Sequence, residues 1–219
     1  MATEAILQQV AERGYATVLK KTESSVLRLA TALGVPMAEE RDPRVYRPIS
    51  PVTQDMAKPN TLSSRYGTGA FPFHTDTAYW LQPARFLLLH CVNPGAGGRP
   101  TLLIDVSRWR LSREEESVLT RGLWIAGDRR PFLTQVMNAA PAGRHIRYDS
   151  DCMRPIGPSG ELASALLRRK LRTSCPIQVA WAKGLLLIID NRRILHARGK
   201  TEEPDPDRLL GRVLVGERP

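Results

Sequence analysis

Gly184-Leu185-Leu186-Leu187-Ile188-Ile189-Asp190-Asn191-Arg192-Arg193-Ile194-Leu195-His196 joins an apolar run to a polar turn, and a histidine follows almost at once. The run is strand length and is bounded by glycine and a polar cluster, so it reads as a buried strand. Outward from it the pattern repeats. Arg85 to Val92 is a second apolar run, closed by Asn93-Pro94-Gly95, and residues 100–105 form a third. Further strands are expected over 15–19, 44–47, 123–127, 132–137, 144–148, 177–180 and 208–215. Helices are fewer. One covers 3–13 and ends at Gly14, and one covers 23–33 and stops at Gly34 and Pro36. A third opens at Ser112, with Glu115 completing a capping box, and a fourth runs from near Ser159 to Leu171. Residues 36–59, rich in proline and charge, read as a long loop. There is no βαβ alternation and no glycine-rich phosphate loop. Many short strands between proline and glycine turns indicate a mainly β chain with flanking helices (α+β), a β-sandwich or jelly roll.

A length of 219 residues suits one well-cored domain. No window of eighteen or more uncharged apolar residues is present, so no membrane span is expected. The N-terminal stretch lacks the layout of a signal peptide. Three cysteines, Cys91, Cys152 and Cys175, fit no metal knuckle and suit reduced thiols in the cytoplasm. The net charge of +10 raises nucleic acid as a partner. The excess is dispersed, however, and its densest patch, Leu166 to Arg172, reads as the solvated face of a helix. No nucleic-acid module accompanies it, so a small-molecule partner is the better expectation.

His74-Thr75-Asp76, within Phe-Pro-Phe-His-Thr-Asp-Thr, carries the chemical signal. In an extended segment, period 2 puts His74 and Asp76 on one face. Imidazole and carboxylate together make two-thirds of a facial metal triad with open positions. Four histidines exist in all, so the third ligand is sought among His90, His145 and His196. His90 lies in an apolar run and reads as a core histidine, while His145, in an expected strand, could line a pocket. His196, just past the turn, can be held rigidly, as a ligand must be. Arg208 and Arg212 share one face of the last strand, opposite Leu209 and Val213. Aimed inward they need anions, and a dicarboxylate co-substrate would supply one. On a solvated edge they need none.

Four motifs occur in order: His74-Thr75-Asp76, Gly97-Gly98-Arg99-Pro100-Thr101, Asp190 to Arg198, and Arg208-x-x-x-Arg212. Together they resemble the Fe(II)- and 2-oxoglutarate-dependent oxygenases of the taurine dioxygenase and clavaminate synthase superfamily. The resemblance covers residues 60–219 and is compatible with the helix–strand–helix of residues 1–35. It implies a double-stranded β-helix (cupin-like jelly roll), with His74, Asp76 and His196 as catalytic iron ligands. It also implies Thr101 and Arg208 on the distal carboxylate of 2-oxoglutarate, and Arg212 on an anionic group of the substrate. The reaction so implied uses Fe(II), 2-oxoglutarate and O2, releases succinate and CO2, and hydroxylates or desaturates an unactivated C–H bond.

The tail resembles the clavaminate synthase and amino-acid hydroxylase branch, which implies an amino acid or natural-product intermediate, free or carrier-bound. The loop Arg65 to Phe71, with Thr68 and Phe71, is expected to wall the pocket. Arg147 and Asp149 are further substrate-contact candidates, a mutual surface salt bridge being the other reading. Cys152 reads as an ordinary buried thiol. The chain is short for the family between Asp76 and His196. An open pocket would then take a carrier- or peptide-bound substrate, or a neighbouring subunit would close it. Two rivals are a nucleic-acid- or peptide-directed oxygenase of the same chemistry and a catalytically silent jelly-roll binding protein.

Overall fold

A computed structural model describes residues 3–40, 42–59, 61–140, 143–200 and 205–218. The first half contains α1 (Thr3–Arg13), β1 (Tyr15–Leu19), α2 (Glu23–Leu33), β2 (Val35–Met37), β3 (Arg47–Ile49), α3 (Leu62–Tyr66), β4 (Phe71–His74), β5 (Phe86–Asn93) and β6 (Thr101–Asp105). Then come α4 (Arg113–Arg121), β7 (Trp124–Ala126), β8 (Phe132–Thr134), β9 (Met137–Ala140), β10 (Gly143–Ile146) and β11 (Met153–Pro155). The chain closes with α5 (Gly157–Thr173), β12 (Ile177–Val179), β13 (Leu185–Asp190), β14 (Ile194–Arg198) and β15 (Leu209–Gly216).

Two antiparallel sheets form the body. The larger runs β1-β13-β5-β15-β2, with β3 also on β15, and the smaller runs β12-β6-β14-β4. They share one core, made of Leu87, Leu89, Leu187, Ile189 and Leu214 from the larger sheet and Leu103, Val179 and Ile194 from the smaller. Alternate residues of the same strands, Leu88, Leu186, Ile188 and Val213, pack on the other side against Ile6, Val10, Val26 and Leu29 of α1 and α2. Because both of their faces are covered, β5 and β13 read as continuous apolar runs without alternation. The outer side of the smaller sheet, Ile104 and Leu195, packs against Leu119 of α4, Leu166 and Leu167 of α5, and Trp124. The layers are helix, sheet, sheet, helix, with the jelly-roll core in the middle.

β13 and β14 lie in different sheets, so the turn Asn191-Arg192-Arg193 carries the chain from one sheet to the other. His196 shares its parity with Ile194, which lies in the inter-sheet core, and so belongs to the interior side of β14.

Residues 36–59 depart from expectation. The strand expected at 44–47 is β3 at Arg47–Ile49, and β2 forms at Val35–Met37. Both pair with the edge of β15, and each contains a proline, Pro36 and Pro48, tolerated at a sheet margin. The prolines concealed them in the sequence. Helix α5 begins two residues before Ser159, with Pro158 in its first turn, where the missing N–H costs nothing.

Candidate metal centre and anion pocket

β4 and β14 pair so that His74 and His196 are cross-strand partners, and their ring centroids are 4.2 Å apart. One ligand atom from each of His74, Asp76 and His196 lies within 4.8 Å of the others. Asp76 is brought there differently from the expectation. β4 ends at His74, so Asp76 does not reach the site by strand alternation. Asn191 of the inter-sheet turn, fully buried, places it. Its Oδ1 accepts from Asp76 N, and its Nδ2 donates to the carbonyls of Asp76 and Ala84, all at 2.9 Å. Thr77 follows at φ 58, outside the usual range for a β-branched residue. Its hydroxyl donates to Asp76 O at 2.6 Å and accepts from Ala84 N at 2.9 Å, fixing the bend.

Each ligand has its own electrostatic setting. His74 Nδ1 lies 3.0 Å from the Pro72 carbonyl, an acceptor only, so Nδ1–H donates there and Nε2 is the nitrogen left for a metal. His196 is 6 % exposed, and burial, with His74 adding to it, pulls its pKa well below 6.5. It is therefore neutral. Its Nδ1 is buried with no partner among the described residues. Burial pushes the Asp76 carboxyl up, His74 opposes this, and Asp149 reinforces it. A buried, neutral, under-bonded imidazole beside a second imidazole and a desolvated carboxylate is a donor set short of a cation. The residues fit Fe(II). His90 contrasts with them: Tyr46 Oη at 2.9 Å and Lys20 O at 2.9 Å satisfy both its nitrogens, so it is the core histidine expected.

Thr101, 5 % exposed, faces Arg198 across β6 and β14, and its Oγ1 accepts from Trp181 Nε1 at 3.2 Å. Arg208 is buried just before β15, and the register shift between Leu209 and Leu210 places its extra residue, Val92, on β5. Burial, then Arg99, pull its pKa down, and its Nε has no partner among the described residues. The two arginines differ in their partners. Arg212, held down to about 10 by burial, meets Glu39 in a close ion pair and reaches Asp76 Oδ1 with Nη1 at 3.3 Å.

The remaining candidates fall around this centre. The Phe71 ring is tilted against that of His74 with centroids 5.2 Å apart, and the Thr68 carbonyl accepts from Arg99. Arg147 donates to the carbonyls of Ala78, Trp80 and Leu81 at 3.2, 2.6 and 2.8 Å and lies 5.1 Å over the Phe132 ring. It staples the segment after Asp76. No ion pair joins it to Asp149 among the described residues, and the Asp149 carboxylate accepts from Asp151 N at 2.8 Å. Cys152 is a part-buried thiol pushed up by burial. Asn191, Glu39, Arg99 and Arg198 were not singled out by sequence reasoning. For Asn191 a signal existed: a lone amide in a turn between a buried strand and a candidate ligand.

No protein-family model and no curated protein matches the sequence. Solved structures do match. An asparagine oxygenase in complex with Fe(II), 2S,3S-3-hydroxyasparagine and succinate superposes with a TM-score of 0.80 at 16 % identity, over 99 % of this chain and 79 % of its own. The non-heme iron oxygenase OrfP, in complex with Fe and alpha-ketoglutaric acid, gives 0.78 at 19 % identity, over 98 % and 79 %. PvcB, an Fe, alpha-ketoglutarate dependent oxygenase from an isonitrile synthetic pathway, gives 0.72 at 18 %, over 98 % and 80 %. The chain has the fold of the Fe(II)- and 2-oxoglutarate-dependent oxygenases, the jelly roll that the motif order implied, and within it a His-Asp-His group that could bind iron.

Proposed function

We propose that the chain is a non-haem Fe(II)- and 2-oxoglutarate-dependent dioxygenase. Its substrate would be a small carboxylate-bearing molecule, an amino acid or natural-product intermediate, hydroxylated or desaturated at an unactivated C–H bond. The observation that carries this reading is the convergence of His74, Asp76 and His196 between the two sheets of that fold. When bound, iron, 2-oxoglutarate and O2 supply the oxidising chemistry, with succinate and CO2 as by-products.

The chain's own residues bind and orient. The Pro72 carbonyl fixes the His74 tautomer, and Asn191 holds Asp76 by its backbone. Thr101 and Arg208 would take the distal carboxylate of 2-oxoglutarate, relieving a buried cation of its missing anion. Arg212 stands beside Asp76, paired with Glu39, and can exchange that carboxylate for one on the substrate. Thr68 and Phe71 would wall the pocket, and Asp149, electrostatically coupled to Asp76, would suit a substrate ammonium. Arg147, occupied by three carbonyls, is assigned to holding this wall.

An amino acid is favoured because the asparagine oxygenase and OrfP complexes contain 3-hydroxyasparagine and (3S)-hydroxy-L-Arg. Three unpaired cysteines suit a cytoplasmic location, and no helix among the described residues is long and apolar enough to cross a membrane. The basic patch on α5 gives nucleic acid little support, since Arg169 and Lys170 both pair with Glu115. The test is succinate release with Fe(II), 2-oxoglutarate and O2 across free amino acids, then peptide- and carrier-bound forms. A substrate should raise release at least about tenfold over the uncoupled rate. Release that neither iron nor any substrate changes would overturn the reading.

A further inference from the structure

Two arginines remain, Arg99 buried and Arg198 part-buried. Arg99 is 1 % exposed, and its Nε and Nη2 have no partner among the described residues. Its Nη1 donates to the carbonyls of Thr68 and Gly69, the latter at 3.2 Å. Arg198 sits opposite Thr101 in the β6–β14 ladder. Its Nη2 donates to the Gly67 carbonyl at 2.6 Å, its guanidinium lies 4.5 Å over the Phe71 ring, and its Nε is buried and unpartnered among the described residues. Arg208 adds a third Nε with no partner among the described residues.

The three are close enough to disfavour one another's charge. Burial, then Arg99, then Arg208, bring Arg198 down to about 10, and Arg99 acts likewise on Arg208. Among the described residues Asp205 is the acid that offsets Arg99 and Arg208, and its own Oδ2 is buried with no partner there. Buried guanidinium N–H groups without acceptors are costly, and like charges side by side add to the cost. Among the described residues, the deficit is an anion. The same two side chains that lack it hold three successive carbonyls, those of residues 67, 68 and 69, in the wall expected to face the substrate.

We propose that Arg99 and Arg198 are positioning residues that tie the anion held at Thr101 and Arg208 to the 67–69 turn, so that filling the co-substrate site fixes the substrate wall. This rests on the function proposed above. A carboxylate among the three guanidiniums offsets their repulsion and pins their planes, and the pinned planes hold the carbonyls. An empty site leaves each side chain free to let go. A 2-oxo acid with no distal carboxylate should bind the metal and leave the turn loose.

Amide hydrogen exchange of residues 65–71 tests this in the anaerobic Fe(II) protein, with 2-oxoglutarate or 2-oxobutyrate added and binding followed separately by calorimetry. In wild type, saturating 2-oxoglutarate should slow exchange at least about fivefold, and saturating 2-oxobutyrate should not. Arg99→Met should raise the dissociation constant for 2-oxoglutarate about tenfold or more and abolish the protection at saturation. Arg99→Lys keeps the charge but not the fork, so it should bind within about threefold of wild type and still lose the protection. It decides the matter if the methionine variant does not fold. Wild-type protection in the lysine variant, or a turn indifferent to saturating 2-oxoglutarate, overturns the inference and leaves the proposed function standing. No 2-oxoglutarate binding in wild type overturns both.

Discussion

Replacing Asn191 by alanine removes an amide that is fully buried and makes three hydrogen bonds of 2.9 Å. The groups left behind are Asp76 N–H and the carbonyls of Asp76 and Ala84. The Asp76 carbonyl keeps the Thr77 hydroxyl, so two groups are left unpaired, and at about 1 kcal/mol for each the loss of stability is about 2 kcal/mol. For a chain of this size that lowers Tm by roughly 4–8 °C. The second consequence is specific to the site. Asp76 lies beyond the end of β4, and Asn191 grips its peptide on both sides, so its removal should weaken Fe(II) binding about 10–100-fold. Asn191→Asp sharpens the argument, because it keeps an acceptor for Asp76 N–H but turns the donor into an oxygen facing two carbonyls. Its Fe(II) affinity at neutral pH should fall below that of the alanine variant. Anaerobic calorimetry gives the affinities and thermal unfolding of the metal-free proteins gives the stabilities. An alanine variant that binds Fe(II) within twofold of wild type would refute the reasoning, and a stability loss without an affinity loss would reduce Asn191 to a fold staple.

Three further outcomes are expected. A Cβ on Gly211 would sit 1.9 Å from the Tyr46 ring, whose hydroxyl bonds His90, so Gly211→Ala should cost about 2 kcal/mol; an unchanged Tm contradicts this. Arg147→Met frees the carbonyls of Ala78, Trp80 and Leu81, and amide exchange over residues 77–82 should speed at least about tenfold with the fold intact; unchanged exchange would return Arg147 to the substrate candidates. Because burial holds His196 neutral well below its ordinary 6.5, the unfolded chain takes up a proton that the native state refuses. Metal-free stability should therefore fall as pH drops below 6.5, by up to about 1.4 kcal/mol per pH unit from this group until its native pKa is reached. His196→Gln should remove that part of the slope, and an unaltered slope between pH 6 and 5 contradicts the assignment.

The body of the fold was legible because β5 and β13 are apolar on both faces, a pattern that depends on little beyond burial. What escaped was short or masked. β2 and β3 carry Pro36 and Pro48, which are turn signals in a sequence and harmless at the margin of β15. At the site, the histidines were readable from spacing and motif order, but the face argument for Asp76 was not the operative one. His74 ends its strand, and a side chain from the turn between the two sheets sets Asp76 in place. Arg208 and Arg212 share a parity in the sequence, and what the sequence hid is the difference in their partners: Arg212 meets Glu39 and Asp76, while the Arg208 Nε has none among the described residues. Arg99 and Arg198 were invisible for a simpler reason. A buried arginine and a solvated one look alike until the partners are counted.

The central claim is that His74, Asp76 and His196 hold an iron that 2-oxoglutarate can join. Anaerobic addition of Fe(II) and 2-oxoglutarate, followed by visible absorption, tests it most directly. Wild type should develop the metal-to-ligand charge-transfer band of a chelated 2-oxo acid, and His74→Ala should not. No band in wild type, or the same band in His74→Ala, would contradict it.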